Sequence, residues 1–262
     1  MTRDDLGDRM KDYYESRSKT RLTRRMPVII RLDGKAFHTF TKGFKKPFDM
    51  IMVKAMQETM KYLCENIQGC VLGYTQSDEI TLVLIDYQNL NSDAWFDYEV
   101  QKLCSVSASM ATFAFNRAFV KHVTDYLYNP EGYDGSPISA YDWASKEGAF
   151  FDARCFNIPK EEVTNCLLWR QQDATRNSIH MTGRAYFSHK QIEGLNSNDI
   201  QNLLFQEKGI NWNDLPTTLK RGSCCIKKYR QTMNQTLRGY WCIDDEIPIF
   251  KDEGRDYIEK LL

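Results

Sequence analysis

Val28-Ile29-Ile30-Arg31-Leu32-Asp33-Gly34 decides the fold. A β-branched apolar run that breaks at Asp-Gly reads as a buried strand delivered into a tight turn. A second stretch has the same grammar. Val71-Leu72-Gly73-Tyr74-Thr75 and Ile80-Thr81-Leu82-Val83-Leu84-Ile85 read as a hairpin joined at Gln76-Ser77-Asp78-Glu79, with Asp78 at its tip. If neighbouring strands carry both turns to one sheet edge, Asp33 and Asp78 become a pair of hard anionic ligands of the kind magnesium takes. Paired metal ions held this way organise in-line phosphoryl or nucleotidyl transfer.

Working outward, a loop through Lys35 and Phe40 leads to Pro47, which opens a helix carrying Met52, Met56, Met60, Leu63 and Ile67 at helical spacing. Upstream, a polar helix over 4–16 and a basic stretch precede Pro27. Downstream, Val100, Leu103, Cys104, Met110, Ala111, Ala114, Phe115, Ala118 and Phe119 form one stripe of a long covering helix between Trp95 and Val123. The turn-rich string over 129–136 divides the chain into a catalytic palm, 1–136, and a C-terminal domain packed on it, 137–262. A strand over 149–156, a helix opened by Pro159, a helix from Ser197 to Gly209, and strands over 222–230 and 239–250 follow. This order reads as α+β: a ferredoxin-like palm of the polymerase type, an antiparallel sheet covered by helices, with additional C-terminal α/β elements.

Each residue near the two turns has a chemical role to offer. Asp33 and Asp78 would bridge two magnesium ions, with the Gly34 carbonyl as a neutral ligand, and the missing side chain there would let phosphates approach the backbone. The amides of Lys35, Ala36, Phe37 and His38 would form an anion nest, with a hydroxyl from Ser77 and a point charge from Lys46 for a triphosphate. For His38 a cap or core role is an equal reading. Glu79 alternates to the opposite strand face from Asp78 and reads as structural. Arg170 and Asp173 read as an i,i+3 surface pair.

Lys plus Arg and Asp plus Glu both count 35, so contact with nucleic acid must come from local patches. Such patches occur at Arg17, Lys19, Arg21, Arg24 and Arg25, at Lys42, Lys45 and Lys46, and at Lys220, Arg221, Lys227, Lys228 and Arg230. Each by itself reads as a solvated face. The 8 cysteines show no Cys-x-x-Cys spacing, which favours free thiols over zinc. With a polar start at Met1-Thr2-Arg3-Asp4-Asp5 and no run of about 18 apolar residues, the expected setting is the reducing cytoplasm, away from membrane.

Four strings, in order, carry a resemblance: Arg31-Leu32-Asp33-Gly34 with Phe37-His38 and Phe40; Lys46-Pro47; Tyr74 with Gln76-Ser77-Asp78-Glu79; and Trp169-Arg170-Gln171 with Asp173. In these the chain resembles the tRNA-His guanylyltransferase family, most closely its bacterial and archaeal guanylyltransferase-like branch. The similarity runs from the first strand to Lys220-Arg221-Gly222-Ser223. It implies a palm that adds nucleotides in the 3′-to-5′ direction at the 5′ end of tRNA, after ATP or GTP activates the 5′-monophosphate. By resemblance, Asp33, Gly34 and Asp78 are the magnesium ligands, residues 33–38 and 77–78 contact the nucleotide, Lys46 lies near the triphosphate, and the assembly is a homotetramer. Eukaryotic members carry His-Ile-Asn-Asn where this chain has Thr175-Arg176-Asn177-Ser178, which points to 5′-end repair with several NTPs over strict tRNA-His guanylylation. A palm-type nucleotide cyclase and a non-catalytic RNA-binding module are the competing readings.

Overall fold

Strand β1 (Val28–Gly34) is apolar on both sides because both faces of its sheet are covered. Val28, Ile30 and Leu32 point into one core and Ile29 into another. The structure, a computed structural model, describes residues 5–128, 138–231 and 237–262. The dividing loop expected over 129–136 lies outside them.

The remaining strands are β2 (Cys70–Gln76), β3 (Glu79–Leu84), β4 (Phe151–Asn157), β5 (Ser223–Gln231) and β6 (Leu237–Asp244). They form one sheet in the order β4-β1-β3-β2-β5-β6, with every neighbouring pair antiparallel. Three strands from beyond residue 136 therefore share a sheet with the three before it. The expected division at that residue is not a break between sheets.

The helices are α1 (Asp5–Met10), α2 (Phe37–Phe40), α3 (Met50–Asn66), α4 (Val100–Tyr128), α5 (Ile138–Glu147), α6 (Lys160–Tyr186), α7 (His189–Ile192), α8 (Ser197–Lys208), α9 (Thr217–Arg221) and α10 (Asp256–Glu259). One core joins β1 and β3 to α3 and α4 through Met56, Met60, Leu63, Leu103, Phe115 and Phe119. On the opposite face Val163 and Leu167 of α6, with Phe250 and Ile258, cover Ile29, Val83 and Cys224. A smaller core of Ile179, Phe187, Ile192, Ile200, Leu204 and Trp212 ties the end of α6 to α7 and α8. No described helix is long and apolar enough to cross a membrane, and all 8 cysteines are free thiols.

Several boundaries differ from the sequence reading. α3 starts at Met50, after Pro47, because Asp49 caps it by accepting from the amides of Ile51 and Met52 at 3.0 and 3.1 Å. The stripe from Trp95 is broken before α4 by left-handed backbone at Phe96 and Asp97, where the chain turns to pair with the segment at Arg21. The last strand stops at Asp244, since its carboxylate accepts from the Glu246 amide and turns the chain so that Ile247 and Phe250 reach the core. Arg24 and Arg25 are not a loose basic face. Arg24 bonds Asp86, Asp97 and Asp93, and Arg25 bonds the carbonyls of Asp86, Asn89 and Leu90, so together they hold the loop before Trp95.

Candidate active site

The antiparallel register sets Asp33, near the end of β1, opposite Glu79, the first residue of β3. The Gly34 amide donates to the Asp78 carbonyl at 3.0 Å, so backbone joins the two acidic turns. Asp78 is held above the ordinary carboxylate range. Burial is the main cause and the charges of Asp33 and Glu79 add to it, while its own amide and the Ser77 hydroxyl pull the other way. A partly desolvated carboxylate under the influence of neighbouring negative charge is an arrangement that a divalent cation relieves. Among the described residues no group of three or more His, Cys, Asp or Glu side chains is placed to hold a metal unaided. Magnesium fits such a sparse donor set, because it is bound through one or two carboxylates and completes its shell with water and substrate phosphates.

Beside Asp78 opens a cavity of about 440 Å³. Phe37, His38, Lys46, Ser77 and Asp78 line it, whereas Asp33, Gly34, Lys35 and Ala36 do not and lie outside its wall. Two further expectations are corrected. The Lys35 amide donates to the Phe150 carbonyl at 2.8 Å as an extension of the β1–β4 ladder, so it is withdrawn from an anion nest. At Gly34 a side chain would collide with the Phe37 ring, so packing alone demands glycine there, independently of any phosphate. Phe37 itself is buried against Phe40, Phe115 and Phe151 at centroid distances of 5.2 to 5.4 Å, which anchors the loop before the cavity to α4.

Asp49, which sequence reasoning passed over, ties down the backbone at Lys45, next to Lys46. Its carboxylate caps α3, accepts from the Lys45 amide at 3.2 Å and accepts from the Tyr141 hydroxyl at 2.6 Å. The signal was an Asp immediately before the helical stripe. The opposite wall was missed as well. Thr218, Leu219, Lys220, Arg221 and Gly222 line the cavity, although the sequence marked Lys220 and Arg221 only as part of a basic patch. The Tyr74 hydroxyl donates to the Arg221 carbonyl at 2.7 Å, and Ser178 donates to the Leu219 carbonyl at 2.7 Å. Gly222, at φ 84°, presses so closely on the Thr75 carbonyl that a Cβ would strike it.

Below the edge, Glu79 and Arg170 are both buried, and two 2.7 Å bonds join them. Asp173 takes a further bond from Arg170 at 3.0 Å. Burial opposes the Arg170 charge, and these carboxylates more than offset it. The structural role read for Glu79 therefore has a partner, and the Arg170–Asp173 pair read as a surface feature belongs to a buried network. Thr175 donates to the Gln171 carbonyl at 3.0 Å, while Asn177 and Ser178 face the cavity.

The chain is similar to known proteins in both sequence and fold. The model of the family described as Thg1: tRNAHis guanylyltransferase matches residues 7–159. A bacterial tRNA(His) guanylyltransferase (Thg1)-like protein solved with ATP superposes at a TM-score of 0.80, with 44% identity over 98% of this chain and 98% of that one. A bacterial Thg1-like protein solved with GTP gives 0.78 and 41%, over 98% and 99%. The tRNA(His) guanylyltransferase of Saccharomyces cerevisiae is 28% identical over 215 residues, covering 77% of this chain and 82% of that protein. The palm-like sheet, the adjoining acidic turns and these matches together place the chain in the tRNAHis guanylyltransferase (Thg1) family of nucleotidyltransferases.

Proposed function

We propose that this protein adds or restores nucleotides at the 5′ end of tRNA in the 3′-to-5′ direction. The observation that supports the reading is the Gly34–Asp78 backbone bond, which joins the turn of Asp33 to that of Asp78, itself on the wall of a cavity that Lys46 and Arg221 also line. In the first step the RNA 5′-phosphate oxygen attacks the α-phosphorus of ATP or GTP and pyrophosphate leaves. In the second, the 3′-hydroxyl of an incoming NTP attacks the 5′-phosphorus, and the activating mononucleotide leaves. Two magnesium ions held by Asp33, Asp78 and the Gly34 carbonyl would neutralise charge on the phosphoryl oxygens. Lys46 supplies a further positive charge to the triphosphate, and Ser77 a hydroxyl donor. His38, on the cavity wall, contacts the nucleotide, while Asp33 and Gly34 act through the metal ions.

Thr175 stands where eukaryotic members have histidine, and its hydroxyl is committed to its own helix. This supports templated 5′-end repair with several NTPs; that a homotetramer carries it out is proposed from the family resemblance alone. The test is to incubate the protein with magnesium, ATP, NTPs and a 5′-truncated, 5′-monophosphorylated tRNA. Elongation at the 5′ end is the expected result. Cyclic nucleotide formed without RNA would establish a cyclase instead, and binding without product an RNA-binding module.

A further inference from the structure

A second hollow, of about 360 Å³, adjoins the first and is lined by Ser77, Arg176, Asn177, His180, Met181 and Arg184. Ser77, Asn177 and Met181 belong to both walls, so the two spaces meet at the residue next to Asp78. Arg176, His180 and Arg184 lie at successive turns of α6, four residues apart, and so share one face of the helix. No lining residue is acidic. Arg176 pairs with Asp173, whose charge Arg170 also uses. Among the described residues, Arg184 forms no ion pair with a carboxylate. His180 is disfavoured as a cation by burial and then by Arg184 and Arg176, so basic groups crowd this face. Arg184 alone would be explained as a cation complementing the C-terminal end of α6. That leaves unexplained the hollow and the alignment of all three groups beside Ser77.

We propose that Arg176, His180 and Arg184 form a second phosphate subsite, continuous with the catalytic cavity across Ser77. Its ligand is a phosphate ester, supplied either by the backbone of the RNA strand or by the triphosphate tail of a nucleotide. The proposal rests on the reading above that phosphate esters occupy the cavity at Asp78.

The test compares the wild-type protein with His180→Gln/Arg184→Gln and with Arg184→Lys. Each is titrated with inorganic tripolyphosphate and with a 5′-monophosphorylated tRNA at several salt concentrations. Loss of the double variant's charge-assisted contacts should weaken at least one ligand about tenfold, with Arg184→Lys close to wild type. A loss confined to tripolyphosphate assigns the subsite to the nucleotide. A loss confined to tRNA, with a shallower dependence on salt, assigns it to the strand. Unchanged affinity for both, or an Arg184→Lys variant as weak as the double one, overturns the proposal. A wild-type protein that binds through these residues but transfers no nucleotide overturns the proposed function and leaves the subsite standing.

Discussion

Arg170 grips Glu79 with both arms of its guanidinium, Nε donating to Oε1 and Nη2 to Oε2, each at 2.7 Å. Glu79 directly follows Asp78, so this buried fork fixes the backbone from which the carboxylate proposed as catalytic projects. Removing one partner strands the other charge in the interior. Arg170→Met should therefore cost about 3–5 kcal/mol in urea unfolding. Adding Glu79→Gln to that variant should recover part of the loss, and a double variant no better than the single one would contradict the pairing.

Asp33→Asn and Asp78→Asn should each reduce nucleotidyl transfer by roughly a thousandfold or more, as loss of several kcal/mol of charge stabilisation requires. Neither should impair folding, because each removes one member of a repelling pair. Near-normal turnover in a 5′-elongation assay would reject the assignment.

Asp78 also predicts a pH dependence. Its folded pKa is raised, so the folded state holds the proton more tightly than the unfolded chain does. Its contribution to stability is complete below the ordinary carboxylate range and is lost as pH rises through the raised value. Without divalent cations, Asp78→Asn should therefore gain in Tm relative to wild type as pH climbs from acid toward neutral. Parallel Tm profiles for the two proteins would refute this.

Lys46→Ala should raise the KM for the nucleoside triphosphate roughly tenfold, the cost of one charge-assisted contact, and alter tRNA affinity less. Nucleotide and RNA titrations read the two effects separately, and the opposite ranking would remove Lys46 from the triphosphate.

Gly222→Ala should destabilise by about 1–3 kcal/mol, since it combines left-handed backbone with a collision on the Thr75 carbonyl. The same strain should displace Lys220 and Arg221 from the cavity wall and weaken nucleotide binding. Calorimetry with and without ATP measures both effects.

The sheet and its acidic edge were legible because their signals are local. Ile30 and Leu32 alternate around Ile29 within a single run, and Asp33 and Asp78 sit where apolar runs break. The far wall of the cavity was not legible. Thr218 to Gly222 are held on the cavity wall by hydrogen bonds from Gln57, Tyr74 and Ser178, across long sequence separations that no periodicity encodes. Arg24 shows the same limit, since a basic run reads alike whether water or Asp86 receives it. Lys35 was misjudged for a related reason: its amide is taken by the carbonyl of Phe150, the residue just before β4.

The interleaved strand order has a consequence for how the molecule is made. β1, β2 and β3 emerge from the ribosome first and can pair with one another, but β4 must dock on one side of them and β5 on the other. Arg170 and Arg221 are translated later still than β4. A nascent chain halted before them would present Asp78 without its buried clamp or its facing wall. Catalytic competence is thus reached only late in synthesis, when the distant strands and helices close around the early ones.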